Sequence, residues 1–153
     1  MKIAVAADHA GFPLKSTVIG LVRALGHEVI DLGTDRADVS VDYPDYAEKL
    51  GRLIQDGKVE RGILLCGSGV GVSIAANKLK NVYAGVCHDT YSAHQAVEHD
   101  DMNVLCLGTR VIGEELVREI VAVFLSARYV GQDADQERHA RRVEKIKKLE
   151  LGG

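Results

Sequence analysis

The chain has 153 residues, 46% hydrophobic and 27% charged, with a formal net charge of -3. A single domain over 1–153 buries a full core at this size, the charge balance gives no global reason to expect nucleic acid or an anionic membrane as partner, and no apolar run approaches the roughly 20 residues of a membrane span. The N-terminus MKIAVAAD turns acidic before it can form a secretory core, so the expected location is the cytoplasm.

In chain order, KIAVAAD (2–8) reads as a first strand, followed by a helix in which Leu14, Val18, Leu21, Val22 and Leu25 recur at helical spacing and Gly26 supplies the stop. HEVIDLG (27–33) is a second strand. The polar segment Thr34 to Val41 reads as a surface loop, and a second helix starts near Pro44 with Asp42 as cap and runs to Gly57. GILLCG (62–67) is a third strand, and its glycine-rich turn opens a helix through Ile74 and Asn77. YAGVC (83–87), a helix over Thr90 to Glu98, NVLCLG (103–108) and a helix over Gly113 to Ala127 complete the alternation. Short apolar strands alternating with helices predict an α/β fold: a five-stranded parallel sheet, doubly wound and Rossmann-like, covered on both faces. The tail, Asp135 to Glu150, reads as a charged helix with only Val143, Ile146 and Leu149 as a thin apolar stripe, the pattern of an arm that packs on a partner or on the domain edge.

Ligands in such sheets collect beyond the C-terminal strand ends. There the chain places Asp8 and His9, then Cys66, then His88 and Asp89, then Gly108 to Arg110. The backbone amides of Gly67, Ser68, Gly69, Val70 and Gly71 face the turn after the third strand, where a helix N-terminus favours an anion and lowers the pKa of a thiol such as Cys66. Cys87 and Cys106 lie near strand ends as small core residues, and no CxxC pair suggests a metal or disulfide framework. His27 sits at the opposite sheet end, and His94 lies within a helix. His99, at a helix C-terminus, suits either a general acid or a simple cap. Arg138 and Arg142, at i and i+4, share one helix face and can grip a phosphate together. The spacing GxGxG after the third strand fits neither the dinucleotide fingerprint nor a P-loop, and no histidine spacing supports a metal.

Five ordered blocks, DHAGFPLK, VDYPDYA, GILLCGSGVGVSIAANK, EHDDMNVLCLGTRVIG and RHARRVEKI, resemble ribose-5-phosphate isomerase type B, within the group that also holds galactose-6-phosphate isomerase subunits. The resemblance spans nearly the whole chain. It implies an aldose–ketose isomerase of the pentose phosphate pathway, acting through a cis-enediolate with no metal and no organic cofactor. It implies Cys66 as the base that moves a proton between C2 and C1, and His99 as the acid that opens the furanose. Ser68 and the amides around Gly67 to Gly71 would hold the enediolate charge, Asp8 would contact hydroxyls, and His9, Arg110, Arg138 and Arg142 would bind the phosphate. It further implies a homodimer with shared sites, His99 and the tail arginines crossing between subunits and residues 132–153 forming a loop and helix on the neighbour. Dimer against tetramer stays open.

Some members use a glutamate a few positions beyond the cysteine; the stretch VGVSIAAN has none, leaving Cys66 as the base. Ser68 stands where threonine is frequent. Asp100 stands where the family usually has asparagine, and GQDADQERH replaces the common GGRH, so an isomerase for a four-carbon, six-carbon, deoxy or branched sugar phosphate is the nearest alternative. A non-catalytic sugar-phosphate sensor on the same fold is the alternative of another class.

Overall fold

The structure, a computed structural model, describes residues 1–152. Within them the chain forms β1 (Lys2–Ala7), α1 (Phe12–Ala24), β2 (Glu28–Asp31), α2 (Tyr43–Gln55), β3 (Arg61–Cys66), α3 (Val70–Ala76), β4 (Ala84–Val86), α4 (Thr90–Asp100), β5 (Val104–Gly108), α5 (Glu114–Ser126) and α6 (Glu137–Glu150). All neighbouring strands run parallel in the order β2-β1-β3-β5-β4. After β1 the chain steps outward to β2, then returns past β1 to β3. The order therefore reverses between β1 and β3, and a crevice opens beyond their C-terminal ends.

Each central strand is buried on both faces, which is why it reads as an almost continuous apolar run. Alternate residues serve different layers. Ile3, Val5, Ile63, Leu65, Leu105 and Leu107 pack with α1, α4 and α5, where Val22, Val97 and Phe124 lie. Ala4, Ala6, Leu64, Cys66 and Cys106 face α2 and α3, meeting Leu50 and Val72. The expected doubly wound three-layer arrangement is what the chain adopts. No helix among the described residues is long and apolar enough to cross a membrane.

Boundaries differ from the expected ones where local chemistry decides. The first helix ends at Ala24, ahead of Gly26, whose φ of 87° is the left-handed conformation that suits glycine. The second stops at Gln55 before Gly57, and Asp42 stands at its N-cap without a side-chain hydrogen bond there. Thr34, expected in a surface loop, is buried. Its N–H donates to the Ala7 carbonyl at 2.6 Å, and its carbonyl accepts from the buried Lys15 ammonium at 2.6 Å, which also reaches both Asp31 oxygens at 2.9 and 3.0 Å. A buried ammonium needs such partners, and the backbone supplies one. The loop is exposed from Asp35 to Ser40.

The tail stripe is also shifted. His139 is 3% exposed and Val143 2%, whereas Ile146 is half-exposed and Leu149 is out in solvent. Helix α6 packs on α4 of its own chain through the residues at i, i+4 and i+7.

Candidate active site

A cavity of about 350 Å³ fills the crevice between β1 and β3. Asp8 and His9 form one wall, Cys66 to Ser68 with Gly71 another, and Arg110 with Val111 the rim. Sequence reasoning placed Asp8, His9, Cys66, the glycine turn and Arg110 at these strand ends, and did not single out Ala10, Tyr43 or Val111.

Asp8 follows β1 and is buried; its Oδ1 accepts the Gly11 N–H at 2.9 Å, which fixes the carboxylate at the start of α1. His9 Nδ1 accepts the Val41 N–H at 3.2 Å. An amide can only donate, so Nδ1 is the unprotonated nitrogen and Nε2 carries the ring proton as a ready donor. Thr109 ties the walls together: its Oγ1 donates to the Ala10 carbonyl at 2.7 Å and its N–H to the Cys66 carbonyl at 2.9 Å.

The glycine turn folds around the thiol. Cys66 Sγ accepts the Gly69 N–H at 3.0 Å, which fixes the sulfur at the mouth of the turn. Gly69 has φ of 80°, and a Cβ there would sit 3.1 Å from the backbone of Leu107, so both conformation and space call for glycine. Ser68 Oγ accepts the Val70 N–H at 3.2 Å, and Val70 itself is exposed. Burial pushes the thiols of Cys87 and Cys106 up, Cys87 to about 11, as suits unreactive core residues.

Tyr43 was not anticipated as a lining residue. Its ring lies over Gly71, where an added Cβ would meet ring carbons at 2.7 Å, and it faces the cavity. Only the proximity of α2 to α3 brings them together; VDYPDYA carried the tyrosine but not its neighbour.

His88 is a support rather than a lining residue. Its Nε2 accepts the Gly108 N–H at 2.9 Å, and Gly108 presses on the Ser68 backbone. Accepting there requires a neutral ring, and burial, partly opposed by Asp89, holds the His88 pKa below the usual 6.5. The unfolded chain therefore takes up this proton first as pH falls. The stabilisation is fully present above about pH 6.5 and is lost as pH drops through the lower folded value. His27 and His139, also lowered chiefly by burial, act with the same sign. We expect the urea midpoint to fall between pH 7 and pH 5, and His88→Gln, which keeps an acceptor near Nε2 without the titration, to shrink that fall. An unchanged pH slope in the variant would refute this assignment.

The other predicted site residues are not in this cavity. His99 lies in the last turn of α4, its Nδ1 3.0 Å from Gln95 Nε2 and its ring stacked on His139. Asp100 lines a separate cavity of about 280 Å³ with Tyr83, Met102 and Ile146. Arg138 and Arg142 are exposed on α6. One chain thus brings together Asp8, His9, Cys66, the glycine turn and Arg110, and leaves His99, Asp100, Arg138 and Arg142 on the α4–α6 pair. Among the described residues no group of three or more His, Cys, Asp or Glu is placed to hold a metal ion.

Chemically, the cavity offers a buried thiol, a carboxylate, a hydroxyl, backbone donors and two cationic or N–H donors at its mouth. Residues 3–146 match the model of a family described as Ribose/Galactose Isomerase. Ribose-5-phosphate isomerase B of Escherichia coli (strain K12) is 45% identical over 149 residues, 97% of this chain and 96% of that protein. D-erythrulose-4-phosphate isomerase of Pectobacterium atrosepticum is 42% identical over 146 residues, 95% of this chain and 93% of that protein. The structure of ribose-5-phosphate isomerase B from Clostridium thermocellum superposes with a TM-score of 0.93 at 43% identity, covering 99% of both chains.

Proposed function

The chain belongs to the ribose/galactose isomerase family, and from that membership we propose that it interconverts D-ribose 5-phosphate and D-ribulose 5-phosphate, a step of the pentose phosphate pathway. The observation that carries this reading is the Cys66 sulfur, held by the Gly69 amide in a cavity whose other walls present Asp8, His9 and Arg110.

In this mechanism the furanose first opens, with His99 of a second copy as the acid, because the closed sugar has no carbonyl to activate. The Cys66 thiolate removes the proton from C2, the aldehyde oxygen gains the negative charge of a cis-enediolate, the O2 hydroxyl proton passes to O1, and the proton held by Cys66 returns to C1 as O2 becomes the carbonyl of the ketose. The Gly69 and Val70 amides are engaged by Cys66 Sγ and Ser68 Oγ, so the remaining amides of the turn, Gly67, Ser68 and Gly71, and the Ser68 hydroxyl hold that charge, each donor contributing about 3 kcal/mol. Asp8 receives sugar hydroxyls. The phosphate lies between the His9 Nε2–H, Arg110 and, from the second copy, Arg138 and Arg142. Ring opening moves a proton from the anomeric hydroxyl to the ring oxygen, and isomerisation moves one from C2 to C1 and one from O2 to O1, so aldose and ketose balance with no redox or metal step.

Two observations support a homodimer with shared sites. The α4–α6 group is absent from the Cys66 cavity of its own chain. Apolar side chains also stand exposed: Val111 on the cavity rim and, elsewhere on the surface, Val70 and Ile74 one turn apart on α3 and Tyr91 at the start of α4.

Incubating the protein with ribose 5-phosphate and following ketose formation tests the assignment; absence of turnover overturns it. A second reading, a four-carbon sugar phosphate as preferred substrate, is favoured by Asp100 and by the relative named for D-erythrulose 4-phosphate. Comparing kcat/KM for the two sugars decides between them.

A further inference from the structure

His99 and His139 are stacked with ring centroids 4.0 Å apart and planes 17° from parallel. His139 comes from an otherwise highly charged helix, yet it is 3% exposed, and its Nε2 is sealed from solvent with no hydrogen-bond partner among the described residues. An unpartnered buried nitrogen is unfavourable for stability. The ring is therefore not placed there for a hydrogen bond through Nε2; what it supplies is a flat aromatic face. On the other side, the Gln95 amide occupies His99 Nδ1 at 3.0 Å, leaving Nε2 as the unblocked nitrogen of His99.

We propose that His139 is a positioning residue for His99, the flat floor that fixes its ring plane so that Nε2 is the nitrogen offered to the sugar. The proposal rests on the reading of His99 as the acid that opens the furanose. Burial first, then His99, Arg138 and Arg142, keep His139 neutral, with Asp100 acting in the opposite sense. A neutral ring under a protonated one is attractive, whereas two imidazolium rings at this spacing would repel. The floor thus accepts both protonation states of His99.

Kinetics with ribose 5-phosphate and with its C2-deuterated form tests this. Ribose 5-phosphate arrives as a closed furanose, so ring opening precedes removal of the C2 proton, and a variant that slows ring opening masks the isotope effect of that later step. His139→Leu, which fills the site without a ring face, is expected to lower kcat about 10-fold and to bring the deuterium effect on kcat down toward unity. His139→Phe restores the face and is expected to keep the wild-type kcat and isotope effect, with equal or greater resistance to urea because the orphaned nitrogen is gone. Equal behaviour of the leucine and phenylalanine variants, or a leucine variant with an isotope effect above that of wild type, overturns the proposal. His99→Asn serves as reference. If its isotope effect falls while that of His139→Leu does not, positioning alone fails; if its own isotope effect does not fall, the ring-opening role of His99 fails and the proposal with it.

Discussion

Cys66→Ala is expected to lower turnover of ribose 5-phosphate about 1,000-fold while leaving the fold intact. Proton transfer by a positioned base contributes roughly 100- to 10,000-fold. The stretch after Gly67 holds no acid to take over. The side chain is 4% exposed and loses only one sulfur, so circular dichroism should match wild type. Full activity in the variant would remove Cys66 from the mechanism. The shared-site proposal adds a sharper outcome. Mixing Cys66→Ala with His99→Asn under conditions that exchange subunits produces heterodimers in which one of two sites has both groups. Random pairing should restore about a quarter of wild-type activity. No recovery, with exchange verified, would place both groups in one subunit's site.

The second large effect is structural. Gly11→Ala is expected to cost about 3 kcal/mol, the upper end of ordinary overpacking. A Cβ at Gly11 would collide with the Leu65 carbonyl and lie 2.8 Å from the Leu65 Cβ. Leu65 belongs to β3, held by β1 on one side and β5 on the other, so it cannot withdraw as a flexible side chain could. Gly20, on the exposed side of the same helix, has nothing within 4 Å, and Gly20→Ala should instead stabilise by about 0.5–1 kcal/mol. Urea unfolding of the pair checks both signs, and a Gly11→Ala midpoint at or above wild type would contradict the close approach. Because Leu65 also accepts the Asp8 N–H, the damaging variant should lose activity as well.

The fold was legible because buried parallel strands and amphipathic helices leave different periods in the chain. Val18 and Val22 mark one helix face, and Ile63 to Leu65 form an unbroken core run. The order β2-β1-β3-β5-β4 was not written in any local period, since each central strand presents the same apolar sequence to any neighbour. Half of the candidate site was legible for a chemical reason: Asp8, His9, Cys66 and Arg110 end strands or follow them, so topology alone gathers them. Tyr43 was not, because its meeting with Gly71 depends on how α2 and α3 lie together. The Val41 amide on His9 and the buried side of His139 escaped for the same reason. In one case a loop backbone supplies the partner, and in the other a polar residue takes a place that composition assigns to an apolar one.

The alternation along β3 has a consequence for how such a protein can change. Leu64 and Cys66 face one layer while Ile63 and Leu65 face the other. Removing or adding a single residue within this strand would reverse that parity and turn the thiol toward α1 and α5, away from the glycine turn. Only paired insertions would keep both the interior and the chemistry in phase. Loops such as the one preceding α6 are therefore free to lengthen across descendants, whereas the strand that carries Cys66 is locked in length by the same two-residue rhythm that fills the core.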